Sequence, residues 1–176
     1  NLASDTYTVE VVEQMFLGLT NLNSETGEAE PELATNWDIS DDGLTWTFHM
    51  RDDVKWSDGA PVTAKDIEYS ARRAVMPETA SPYAYALYII KNAKAINQTV
   101  TPTGTYDIES LGVKALDDKT VQFTLEAPAA YFAGIVGLWT LHAVPQWTIE
   151  KYGDAWTEPQ NIVVNGPFKL VDWKPE

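Results

Sequence analysis

Few residue types in this chain could do chemistry. Cysteine is absent, which removes disulfides, thiolate metal sites and thiol nucleophiles. The two histidines, His49 and His142, have no partner at H-x-x-x-H spacing, the kind of signal that marks a zinc or catalytic histidine. His49 falls on the polar side of an alternating run and reads as an exposed strand residue. The chain has no G-x-S-x-G elbow, P-loop or G-x-G-x-x-G. Asp41-Asp42-Gly43 and Ser57-Asp58-Gly59 offer carboxylates in loops, but the alternating ligands and closing Glu of a calcium loop are missing. Both read as turns in which Asp bonds its own backbone. The 26 Asp and Glu residues allow many carboxylate pairs for glycoside hydrolysis, and none is singled out. That reaction asks for two acids facing each other across a cleft, about 5 to 10 Å apart. The seven Trp residues, at 37, 46, 56, 139, 147, 156 and 173, could stack on sugars or bases. Trp46, however, sits on the apolar side of a strand, where packing is the simpler role, and structural roles are expected for most of the set.

Charge narrows the partners. Twelve Lys and Arg against 26 acids give a formal net charge of −14. Such a surface repels nucleic-acid phosphates and anionic headgroups. The acids are spread along the chain, as on a solvated surface. The length of 176 residues fits one domain, or one domain and part of another. The longest apolar run, Tyr131 to Leu141, falls far short of the ~20 residues that span a bilayer.

Positioning these residues requires helices and strands in a readable order. Val12, Met15, Phe16 and Leu19 follow helical spacing and predict an amphipathic helix from Tyr7 to Leu19. Leu33 to Asp38 reads as a connecting segment and Ser40 to Gly43 as a turn. Leu44 to Met50 alternates strictly, with Leu44, Trp46, Phe48 and Met50 on one face, and predicts a half-buried strand. Val54 to Trp56 is a shorter extended piece. Thr63 opens a helix with Asp66 at the capping-box position; it runs to Val75, where Pro77 stops it. A further helix is expected over Ala84 to Ala93 and a surface loop over Asn97 to Tyr106. Gly112 to Leu116 and Thr120 to Leu125 predict a strand pair turned at Asp117-Asp118-Lys119. Ala129 to Leu138, apolar on every side, predicts a buried helix. A short exposed helix is expected over Thr148 to Tyr152, and Phe168 to Trp173 reads as a strand without a visible partner. Both ends of the chain read as cuts in a longer protein.

Several phrases in order carry a family likeness. These are Leu33-Ala34-Thr35-Asn36-Trp37, Asp41 to Arg51, and Val54-Lys55-Trp56-Ser57-Asp58-Gly59-Ala60-Pro61-Val62-Thr63-Ala64-Lys65-Asp66. Ser81-Pro82-Tyr83-Ala84, Leu111 to Asp118 and Asn165-Gly166-Pro167-Phe168-Lys169-Leu170 follow. Together they resemble the bacterial family 5 extracellular solute-binding proteins, with most likeness to oligopeptide-binding members. The resemblance covers nearly the whole chain.

It implies an α/β (α+β mixed) periplasmic-binding-protein-like fold, with a mixed β-sheet and flanking helices. By this likeness residues 1–19 and 144–176 are pieces of the first lobe, residues 20–143 are an inserted extra domain, and the second lobe lies beyond Glu176. The implied function is non-enzymatic capture of extended oligopeptides, held by main-chain hydrogen bonds as an added strand, for delivery to the membrane permease of an ABC importer. The implied peptide-binding residues are Ala3, Ser4, Asp5 and Thr6, which match the pairing stretch of the first lobe, and Tyr83 from the extra domain. Relatives carry an acid near Ser4, where this chain has Asp5 one position on. No cofactor, metal, nucleic acid or membrane insertion is expected. The implied location is the periplasm or cell surface, with a lipid anchor on the whole protein as one form. An oligosaccharide or another small solute remains the alternative ligand, and a glycoside hydrolase the alternative from another class.

Overall fold

The computed structural model describes residues 3, 5–100 and 104–174. The first helix, α1, spans Thr6–Met15 and starts at Asp5, whose carboxylate accepts the Thr8 N–H at 2.9 Å. It stops four residues earlier than the apolar spacing predicts, because Phe16 turns to extended backbone. Phe16 and Leu19 are buried all the same, so the spacing reports core contact rather than helix.

The next strands, β1 (Thr20–Leu22) and β2 (Ala29–Pro31), pair antiparallel as a small ribbon. The main sheet holds β3 (Ala34–Ile39), β4 (Thr45–Met50), β5 (Val113–Ala115) and β6 (Thr120–Thr124) in the order β3-β4-β6-β5. Trp46, Phe48, Met50, Val121 and Phe123 alternate inward as predicted. The segment read as a connector is therefore the edge strand β3. Its alternation is masked by an irregularity between Ala34 and Asn36 that shifts the register against β4. Every strand pairing among the described residues is antiparallel, where a mixed sheet was expected. Tight turns at 40–44 and 116–119 join β3 to β4 and β5 to β6, and such short links permit only antiparallel pairing.

Helix α2 spans Ala64–Val75 and packs on β5 and β6. Asp66 accepts the Thr63 N–H at 2.7 Å and the Trp56 indole N–H at 3.3 Å, tying the cap to a buried Trp. Two expected helices are shorter than read. In place of a helix from 84 to 93 there is one 3-10 turn, Ala84–Leu87, then a bridge from Ile90 to Leu125, then α3 (Ala93–Asn97). Asn92 at φ 63° breaks the run. The apolar stretch 129–138 yields only α4 (Phe132–Ile135). Gly137 approaches the neighbouring chain so closely that a Cβ would lie 2.7 Å from the Thr20 carbonyl oxygen. Helix α5 is Gln146–Tyr152. Residues 168–173 form no strand pairing among the described residues, and Val171 and Trp173 are exposed.

An aromatic cluster of Trp46, Phe48, Phe123 and Phe132, with ring centroids 5.4 to 6.3 Å apart where they touch, anchors the core. The apolar core runs without a break from Met15 and Phe16 through the sheet to Val144, Trp156 and Ile162. No helix among the described residues is long and apolar enough to cross a membrane.

Candidate functional site

Outside the sheet, an open cleft of about 960 Å³ follows one side of α1. Tyr7, Val11, Val12 and Met15 form one wall. The segment from Trp156 to Ile162, with Leu170 and Trp173, forms the other, and Ala3, Asp5 and Trp139 line it at the N-terminal side of α1. Phe16, His142 and Val144 also line it.

The second wall is clamped to α1 by Asn165-Gly166-Pro167-Phe168. The Asn165 Oδ1 accepts the Leu17 N–H at 3.0 Å. The Gly166 N–H donates to the Met15 carbonyl at 2.8 Å and the Phe168 N–H to the Gln14 carbonyl at 3.1 Å. These carbonyls at the end of α1 lack helical partners, and the clamp satisfies them. Gly166 is needed for the approach, since a Cβ there would lie 2.6 Å from the Met15 carbonyl carbon.

The residues expected to bind ligand come together only partly. Ala3 lines the cleft, and its carbonyl accepts the Trp139 indole N–H at 3.1 Å. Ser4 lies outside the described residues. Asp5 also lines the cleft, but its carboxylate is engaged as the α1 cap. It accepts the Thr8 hydroxyl at 2.5 Å and the Thr8 N–H, bonds that hold its carboxyl below the usual range. Thr6 is the exposed first residue of α1. Tyr83, from a loop 80 positions away in sequence, meets Trp139 edge to face, with ring centroids 5.0 Å apart at 73°. Trp139 thus joins the Ala3 stretch to Tyr83. Sequence reasoning left Trp139 within the set of packing tryptophans, and it also passed over Arg73, which lines the cleft from the last turn of α2.

The remaining chemistry-bearing groups are accounted for structurally. His49 pairs with Asp38 across β3 and β4 at 2.8 Å, on the solvent side of the sheet. His142 is buried, with Nε2 3.2 Å from the Gly137 carbonyl, and burial pushes it down to about 4, so it is neutral at physiological pH. Asp42 and Asp58 accept the backbone N–H two residues ahead, from Leu44 and Ala60. These are turn bonds, as the sequence predicts. Glu32 accepts the Gly18 N–H at 2.6 Å, and burial pushes its carboxyl up to about 7. Among the described residues no group of three or more His, Asp or Glu gathers as metal ligands. Trp46 and Trp56 are core, Trp37 packs on Phe48 and Trp147 on Trp56, whereas Trp139, Trp156 and Trp173 line the cleft.

Comparison with known proteins identifies the family and agrees with the fold. The model of bacterial extracellular solute-binding proteins, family 5 middle, matches residues 28–176. The probable deoxycholate-binding periplasmic protein YgiS of Escherichia coli K12 is 43% identical over 93% of this chain and 30% of its own length. The periplasmic oligopeptide-binding protein OppA of the same organism is 44% identical over 90% of this chain and 28% of its own. Among solved structures, Listeria monocytogenes OppA bound to peptide superposes with a TM-score of 0.89 at 37% identity, covering 98% of this chain and 33% of that one. The chain therefore spans about a third or less of the length of the relatives it matches. The fold matches that of the corresponding third of a solved oligopeptide-binding OppA, and the two E. coli relatives are periplasmic by name. The chain belongs to the bacterial extracellular solute-binding proteins of family 5.

Proposed function

We propose that this chain is one part of a receptor, working outside the cytoplasm, that captures extended oligopeptides and passes them to the membrane permease of an ABC importer without acting on them chemically. The observation that carries this reading is Trp139, which lines a cleft open along α1 and joins Ala3, also in the lining, to Tyr83 behind it. An extended peptide laid beside residues 3–5, the segment that leads into α1, would add as a strand, its main chain supplying affinity and the aromatic wall receiving side chains. The solved relative of similar fold holds a peptide. In this reading residues 1–19 and 144–176 belong to the first lobe, residues 20–143 to an inserted domain, and a second lobe closes the cleft. A lipid anchor on the whole receptor is compatible with it.

Hydrolysis of a glycoside fits poorly. The acids lining the cleft are Asp5 and Glu158. A general acid needs a carboxyl held up toward neutral pH, whereas hydrogen bonds pull Asp5 the other way. A small amphipathic solute is the second reading. Val11, Met15, Phe16, Trp156 and Ile162 give the cleft an apolar lining suited to a flat hydrophobic body, and one relative is named for probable deoxycholate binding. Calorimetry of the whole receptor against peptides, oligosaccharides and deoxycholate separates these. Peptides should give the saturable heat, and heat from deoxycholate or sugars alone would overturn the proposal.

A further inference from the structure

We infer that Trp139 positions the peptide-pairing segment and sets side-chain preference in the cleft. The inference rests on the peptide reading above. Trp139 opens the 3-10 turn Trp139–Leu141, whose following residues Thr140, Leu141 and His142 are all buried. Its backbone is therefore held by the core, and α1 packs against the same turn. The side chain is only half-buried and faces the cleft. Its single donor, the indole N–H, is engaged by the Ala3 carbonyl at 3.1 Å. An indole has no other polar hydrogen, so the surface it leaves for ligand is wholly apolar. Tyr83 stands edge to face against the ring at 5.0 Å, which fixes the plane of the indole. A rigid, flat aromatic plate beside the pairing segment favours a large apolar or aromatic side chain at the peptide position that passes it, and gives little to a small or acidic one. The N–H acts separately from the ring face. It ties down residue 3, two residues before the α1 cap at Asp5, so that the pairing segment is in place before ligand arrives.

Two variants in the whole receptor separate the two roles. Peptides of one length, carrying Ala, Leu, Phe or Glu at one position at a time, are titrated calorimetrically. The unaltered receptor should prefer Phe or Leu at one position by roughly three- to ten-fold. Trp139→Ala should erase that preference. Trp139→Phe should keep it while weakening all peptides by a similar factor, because the ring remains and the bond to Ala3 is lost. A Trp139→Ala receptor with the wild-type ranking, or weakened equally for every peptide, would overturn the specificity role. The tie to Ala3 is read without any peptide: hydrogen exchange at the Thr8 and Val9 amides should quicken in Trp139→Phe, and unchanged exchange would refute the positioning role. If the unaltered receptor binds no peptide at all, the peptide reading and the specificity role fail together, and exchange still decides the tie.

Discussion

Replacing Glu32 with Gln should alter how stability depends on pH while leaving stability at pH 4 nearly unchanged. Glu32 sits just before β3, with Oε2 on the Gly18 N–H at 2.6 Å. Burial raises its carboxyl from the ordinary 4.5 to about 7; the Gly18 bond opposes this, and the charge of Glu13 adds to it. Between these values the folded chain keeps a proton that the unfolded chain releases. Stability therefore falls as pH rises from 4.5 to about 7, and is level above. Such a rise corresponds to about 3 kcal/mol. Glu32 retains contact with solvent, and screening reduces the figure to about 1–2 kcal/mol. Gln keeps an oxygen for Gly18 and carries no charge. Glu32→Gln should match the parent at pH 4 and exceed it by about 1–2 kcal/mol at pH 8. For a chain of this size that shifts the thermal midpoint by roughly 2–8 °C. His142 acts in the opposite sense: held neutral down to about 4, it withdraws stability as pH falls from 6.5 toward that value. It is present in both proteins and cancels in the difference. Urea unfolding followed by Trp fluorescence from pH 4 to pH 8 measures the effect. A difference that stays constant across that range, or a variant less stable at pH 8, would refute the assignment.

Two other substitutions test the supports of the cleft. Gly166→Ala would push a methyl into the Met15 backbone and break the clamp on α1. It should cost about 2–4 kcal/mol in urea unfolding and speed exchange at the Gly166 and Phe168 amides. Asp66→Ala would leave the buried Trp56 indole N–H and the Thr63 N–H without their acceptor. A loss of about 2–4 kcal/mol is expected, with a smaller loss for Asp66→Asn, which keeps an acceptor.

The parts of the fold that could be read from the chain are those built from local rules. Strict alternation placed β4 and β6, and the Thr63–Asp66 cap with Pro77 bounded α2 within a residue. Readings failed where distant contacts decide the backbone. Ile90 leaves a helical pattern to bridge to Leu125, and Gly137 permits a chain crossing at Thr20 that ends an apolar run looking like helix. Phe16 and Leu19 kept helical spacing because the core claims them, though neither is helical: Phe16 is extended and Leu19 lies in a bend. The candidate site was suggested only by family phrases, since nothing in the composition or spacing of residues 3–6 points to ligand binding. Trp139 carried no signal because its partner Ala3 lies 136 positions away, and one Trp among seven looks alike in sequence whether it packs in the core or lines a cleft.

Main-chain pairing is the feature on which the peptide reading stands. Titration of the whole receptor with one well-bound peptide and its series of single N-methylated forms tests it directly. Methylation at the peptide amides that face residues 3–5 should weaken binding by roughly ten-fold or more each, with alternate positions spared, as a strand paired along one edge requires. Affinity unaffected by methylation at every position, or no peptide binding at all, would contradict it.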